Sequence, residues 1–117
     1  MEKDETYNGW TNFETWAVAL WLDSEQGTHH YWREASREAW ESASETKHVR
    51  EWKFSRDDAA RILLADRLKE EVEEGIPLLG ANLYADLLGA ALSSVNWHEI
   101  ARHYVEEIAA EDEERRP

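Results

Sequence analysis

The apolar positions of this chain recur mostly every three to four residues, the helical period. The cleanest case is 97–112. Trp97, Ile100, Ala101, Tyr104, Val105 and Ile108 fall at i, i+3, i+4, i+7, i+8 and i+11, and Asn96 with Glu99 predicts a capping box at the start. A second helix is predicted over 29–45, opened by Thr28. Its inner face is Trp32, Ala35, Ser36, Ala39, Trp40 and Ala43, with Glu34, Arg37, Glu38 and Glu41 outside. Small residues between the Trp residues predict close approach of a neighbouring helix. A third is predicted over 56–74, capped by Ser55 and Asp58. It buries Ala59, Ile62, Ala65, Leu68 and Val72, helped by Leu63 and Leu64, and ends in KEEVEEG with Gly75 as its stop.

Two further segments are apolar on more than one side. Over 12–25, Phe13, Trp16, Ala17, Leu20 and Trp21 form a stripe that Val18 and Leu22 widen, which predicts a central helix. Thr11 and Glu14 read as its capping box, and Gln26-Gly27 as its stop. After Pro77, LLGANLYADLLGAALSSV carries one charge, Asp86, and is the most apolar helix predicted. Gly80 and Gly89 are expected to admit another backbone there. Residues 46–55, TKHVREWKFS, lose the helical period and read as an ordered loop pinned by Trp52 and Phe54. Residues 1–6 and 113–117 are expected to fray. The fold class expected is all-α, a single compact domain of about five helices over 1–117.

Charge narrows the functions open to such a bundle. Against 26 acidic residues stand 13 basic ones, a net charge of −13. Nucleic-acid affinity rests on neutralising phosphate, so nucleic acid is a disfavoured partner, and anionic membrane surfaces repel the chain likewise. Three readings of the acid stay open: solubility, adaptation to a salty cytoplasm, or a surface that imitates a phosphate backbone for a basic partner. The absence of cysteine excludes disulfides, thiolate metal sites and a Cys nucleophile. The N-terminal MEKDETYNGW has no apolar h-region, and no run approaches the roughly 20 apolar residues of a membrane span. A cytoplasmic location is expected. Seven Trp is high for this length, and an exposed pair would indicate self-association; monomer and homodimer both stay open.

Candidate chemistry is sparse. HEIARH at 98–103 looks like the zinc motif His-Glu-x-x-His, but its second His is one residue late. At about 100° per residue, i and i+5 stand about 140° apart, so they do not share a metal as an i,i+4 pair does. His29-His30 point about 100° apart for the same reason. No serine elbow, Gly-rich phosphate loop or metal-spaced acid cluster is present. Neither an enzymatic activity nor a cofactor is therefore expected.

Three constellations remain. Acids on outer helix faces, Glu70, Glu71, Glu73, Glu74, Glu106, Glu107, Glu111, Asp112, Glu113 and Glu114, are candidates for binding a basic partner. Those at 70–74 sit at a helix C-terminus, where the dipole disfavours negative charge by a few tenths of a kcal/mol each, roughly. In the N-terminal YNGWTNFETW, turn, staple, cap and core explain most residues; Tyr7, Trp10 and Asn12 are left as the rim of a candidate aromatic pocket. The locally basic stretch offers Lys47, Arg50, Trp52 and Lys53 as a small stacking and phosphate site. Its plainer reading is that Lys47, Arg50, Lys53 and Arg56 neutralise nearby acids, for instance those near Glu70–Glu74.

YNGWTNFETWAVALWLDSEQG, HHYWREASREAW and NLYADLLGAALSSVNWHEIARHYVEE together resemble a group of small, mostly uncharacterised proteins. These occur on bacteriophages, plasmids and other mobile elements and in cyanobacterial and actinobacterial genomes. Their usual opening is similar to NGWTNYETW, with Phe13 here at the Tyr position, which removes a hydroxyl and speaks against a catalytic phenol. The resemblance spans nearly the whole chain and implies a habitat, with no catalytic residues to carry over. It suggests a non-enzymatic acidic interaction protein, of the kind that inhibits a basic host defence protein by imitating DNA. The alternative is a small-ligand or single-stranded nucleic-acid-binding module built on the aromatic N-terminus and the basic loop 47–56.

Overall fold

The structure, a computed structural model, describes residues 6–75 and 82–115. The chain is all-α, and the described residues form five helices of three turns or more and one single turn: α1 Phe13–Ser24, α2 Gln26–Ala43, α3 Lys47–Arg50, α4 Arg56–Glu74, α5 Leu83–Ser93 and α6 Trp97–Glu114. Pro77 and Gly80 lie outside the described residues, as do 1–5 and 116–117 of the ends expected to fray. Of the C-terminal end, Glu113 and Glu114 belong to α6 instead.

The centre is a three-helix contact of α2, α4 and α6, each packed on the other two. The face predicted for α2 is the buried one, Trp32, Ala35, Ser36, Ala39, Trp40 and Ala43. That of α6 is likewise the predicted set from Trp97 to Ile108. Ala35, Ala39 and Ala43 of α2 and Ala59, Ala60 and Ala65 of α4 are all buried, so the seams are lined by methyl groups and the axes close up. Leu64, Leu68, Ile100 and Val105 fill the space between them. Burying such a side chain stabilises by roughly 1.5–3 kcal/mol. Ser36 is enclosed without penalty because its hydroxyl donates to the Trp32 carbonyl at 2.6 Å.

On α4, Ser55 caps the helix as predicted, accepting from the Asp58 amide at 3.1 Å. Leu64, expected only to help, is fully enclosed, while Ile62 and Val72 are half-buried. The helix faces α2 on one side and α6 on the other, which turns its buried arc toward 60, 64 and 68. Gly75 ends the helix in right-handed geometry at φ −80°, so its freedom for positive φ is not used.

Four expectations are corrected. First, α1 is not central. Its buried residues are Thr15, Ala19 and Leu22, while Phe13, Leu20 and Trp21 are exposed, Trp21 by 71%. A helix apolar nearly all round has no preferred face, so tertiary bonds at Thr15 choose it. Second, the N-cap is Asn12, whose Oδ1 accepts from the Thr15 amide at 2.9 Å; Thr11 is used elsewhere. Third, Gln26-Gly27 is no stop. The corner is the single extended residue Glu25, and α2 already runs from Gln26.

Fourth, α5, the most apolar helix, buries none of its residues: Leu83, Tyr84 and Leu87 are 65%, 71% and 59% exposed. The other helices complete the core among themselves, and α5 reaches it through Leu92. A Cβ added at Gly89 meets nothing within 4 Å among the described residues, so none of their backbone approaches that glycine. In the stretch 46–55 the loop contains the turn α3, and Val49 is the residue packed on the core; Trp52 and Phe54 stay exposed.

Candidate functional site

The N-terminal motif folds as a turn, a cap and a lock. Tyr7 and Trp10 exchange both backbone hydrogen bonds, at 2.7 and 2.8 Å, and Asn8 and Gly9 between them have φ of 47° and 86°. That is the left-handed pair a two-residue hairpin turn needs, which Asn-Gly supplies at least cost. The lock follows. Asn12 Nδ2 donates to the Ser94 carbonyl at 2.7 Å, and its Oδ1 also accepts from the Thr15 hydroxyl at 2.6 Å. That hydroxyl in turn accepts from the Asn96 amide at 2.8 Å. Asn96 caps α6 through the Glu99 amide and donates from Nδ2 to the Thr11 hydroxyl. Glu99 Oε1 takes the Thr11 amide at 2.9 Å instead of reaching back to its own cap. The two cap regions, more than eighty residues apart, are thus one polar network.

The three residues considered as a pocket rim separate. Asn12 is spent on the network. Tyr7 joins Phe13 and Trp16 in an aromatic cluster, with ring centroids 5.2 and 5.0 Å away. Trp10 reaches a cleft of about 70 Å³, where its indole centroid lies 4.2 Å from that of the His103 ring. Asp23, Tyr104 and Glu107 line the same cleft, over Ala19 and Ile100. The Tyr104 hydroxyl donates to Asp23 Oδ1 at 2.6 Å, and His29 Nδ1 lies 3.1 Å from that oxygen. Burial, then the bond to Asp23, pushes the Tyr104 hydroxyl well above the usual phenol range. No sequence motif announced this group, because its members come from the N-terminal turn, α1 and α6.

The acid candidates divide in two. Glu107 and Glu111 clamp α6 to α2: Arg33 donates to both, to Glu107 at 2.7 Å, and Arg37 donates to Glu111 at 3.1 Å. The Arg33 bond holds the Glu111 carboxyl below its ordinary range. Asp112 accepts from the Trp40 indole at 3.2 Å and lies 3.9 Å from Arg56. Glu71 accepts from the Tyr31 hydroxyl at 2.6 Å and from Arg67 at 2.9 Å, and is lowered by the Tyr31 bond first. Glu106 lies 3.9 Å from Arg102. The remainder, Glu70, Glu73, Glu74, Glu113 and Glu114, are exposed and form no ion pair among the described residues. Asp66 joins this group, so that 66, 70, 73 and 74 recur at i, i+4, i+7 and i+8 along one outward face of α4.

A family model matches residues 3–115, nearly the whole chain. The chain belongs to the family of unknown function DUF7249. No curated protein and no solved structure matches it.

In this family member the basic stretch forms no ion pair with Glu70–Glu74 among the described residues. Arg56 alone of the four cations pairs, and with Asp112; it also lies 4.1 Å over the Trp40 ring and donates to that residue's carbonyl. Lys47, Arg50 and Lys53 are exposed and form no ion pair among the described residues, which corrects the expectation that they neutralise Glu70–Glu74. His48, Trp52 and Phe54 pack ring against ring, at 4.9 and 5.6 Å from His48, and Trp52 is 57% exposed. Lys53 has φ +60°, an uncommon strain for a side chain without glycine's freedom. Trp21 on α1 and Trp52 beside α3 are thus the exposed Trp pair. His98 lines a cleft with Phe54, Arg61 and Asp58, whereas His103 lines the Trp10 cleft, so the two histidines of HEIARH face different sites. Among the described residues no helix is long and apolar enough to cross a membrane.

Proposed function

We propose that this chain is a non-enzymatic acidic interaction protein that takes a basic partner on the outward face of α4. The observation that carries the reading is the row Asp66, Glu70, Glu73 and Glu74, exposed, without ion pairs among the described residues, and gathered toward a helix C-terminus that disfavours acid. Glu113 and Glu114 extend the supply of free carboxylates. Charge of this density fits a partner that handles nucleic acid, and the finer identity we propose is an inhibitor carried by a mobile element that occupies a host defence protein as DNA does. The net charge of −13 and the resemblance in the N-terminal motif support it. Affinity capture from a host lysate tests the reading, with Glu70→Gln/Glu73→Gln/Glu74→Gln as the second bait. A basic protein held by the native chain, released as salt rises and lost by the triple variant supports it. Equal capture by both baits overturns it.

A second reading is favoured by α3 and the loop after it, where Lys47, Arg50 and Lys53 form no ion pair among the described residues and Trp52 is exposed. In it, the loop stacks and neutralises a small aromatic anion or a single-stranded oligonucleotide. Titration with nucleotides and oligonucleotides quenches Trp fluorescence if so, and Trp52→Ala abolishes the change; a flat titration removes the reading.

A further inference from the structure

The cleft between the N-terminal turn, α1 and α6 has the composition of a receptor for one alkylammonium group. Its floor is apolar and closed, with Ala19 and Ile100 both buried. One wall is the indole of Trp10 stacked with the His103 ring, and both line the cleft. Its rim carries two carboxylates, Asp23 and Glu107, whose side chains are 57% and 55% exposed. Each has one oxygen engaged: Asp23 Oδ1 by Tyr104 and His29, and Glu107 Oε1 by Arg33. Oδ2 of Asp23 and Oε2 of Glu107 have no hydrogen-bond partner among the described residues.

We infer that this cleft binds a lysine side chain of the basic partner, with the methylenes along Ala19, Ile100 and the Trp10 face and the ammonium at the free oxygens of Asp23 and Glu107. Lysine matches the layout because its stem covers apolar surface while its head stays at the wet rim. An indole face adds attraction for a cation, and the surrounding negative field concentrates cations at the cleft. The size agrees: at about 70 Å³ the cleft is well below the roughly 300 Å³ at which drug-sized ligand pockets begin, and it suits one slender side chain. Tyr104 acts as a positioning residue, since its hydroxyl fixes Asp23 Oδ1 and leaves Oδ2 for the ligand. The inference rests on the proposed binding of a basic partner and assigns that binding a second, specific contact away from α4.

The test uses the full chain and two probes, a tetralysine peptide and the same peptide with every ε-amine acetylated. The indole N–H signal of Trp10, identified by its loss in Trp10→Phe, is followed by NMR. The expected result is a saturable shift with the amine peptide and none with the acetylated one. Asp23→Asn and Glu107→Gln, each keeping an oxygen and the side-chain shape, weaken it about two- to fivefold. Glu70→Gln/Glu73→Gln/Glu74→Gln leaves the Trp10 shift in place. A Trp10 signal that does not move, or moves equally with the acetylated peptide, overturns the lysine cleft. Partner capture that still depends on Glu70, Glu73 and Glu74 then shows the α4 surface standing without it. Loss of that capture with the Trp10 shift intact removes the α4 reading and keeps the cleft.

Discussion

The amide of Asn96 donates to the hydroxyl of Thr15 at 2.8 Å, so the residue that caps α6 is held by the first buried residue of α1. That one bond sets which side of α1 faces inward. With Thr15 against the start of α6, the positions 15, 18, 19 and 22 turn to the core at i, i+3, i+4 and i+7, and Leu20 and Trp21 turn out.

Asn12→Ala removes the α1 cap and the donor to Ser94 together. A cap is worth about 1 kcal/mol and a tertiary hydrogen bond about as much again, so stability falls by about 2 kcal/mol. Asn12→Ser keeps a capping acceptor for the Thr15 amide and loses the donor to Ser94, so it costs less. Urea denaturation ranks the two variants; equal midpoints for native chain and Asn12→Ala would falsify the lock.

Leu64 and Leu87 make opposite predictions from the same residue type. Leu64 is fully enclosed, and Leu64→Ala costs roughly 2–5 kcal/mol. Leu87 is 59% exposed on α5, and Leu87→Ala stays within about 0.5 kcal/mol. A large loss at Leu87 in dilute solution reveals that α5 is covered, and a concentration dependence of that loss identifies a second copy as the cover.

Acid and alkali each remove a defined contribution. The folded-state pKa values of Glu71 and Glu111 are lowered from 4.5, so their contribution is present above that value and lost as pH falls through the folded ones. Tyr104 is raised from 10.0, so its contribution is present below that value and declines as pH rises past it. Urea midpoints across pH should fall on both limbs, with Glu111→Gln flattening the acid limb and Tyr104→Phe the alkaline one. Unchanged limbs in these variants contradict the assignment.

Acrylamide should quench Trp21 and Trp52 first, as the two most exposed indoles, while Trp32 and Trp40 stay protected. Trp21→Phe and Trp52→Phe each remove part of the accessible fraction, and Trp32→Phe removes none. Lifetime-resolved quenching of the three variants separates these outcomes.

Helix periods, the caps at Ser55 and Asn96, and the inner faces of α2 and α6 were legible in the sequence, because each is a local rule about which side chains share a helix face or reach a nearby amide. The same rules fail on α1 and α5. Apolar residues nearly all round leave no local preference for a face, and hydrophobicity alone buries nothing once α2, α4 and α6 have closed on one another. The candidate site divides along the same line. That the chain is acidic, and that acids lie at 66, 70, 73 and 74 on one side of a helix, is in the sequence itself. Which acids are free is not, because Glu71, Glu107, Glu111 and Asp112 look no different in sequence from Glu70 and Glu73 until Arg33, Arg37, Arg56 and Arg67 fold onto them. Nor is the meeting of Trp10 with Asp23, Tyr104 and Glu107, which depends on packing among residues far apart in the chain. Local chemistry determined the helices and their charge; only tertiary packing decided which helix stands outside, which carboxylates remain without an ion pair among the described residues, and where the Trp10 indole meets Asp23 and Glu107.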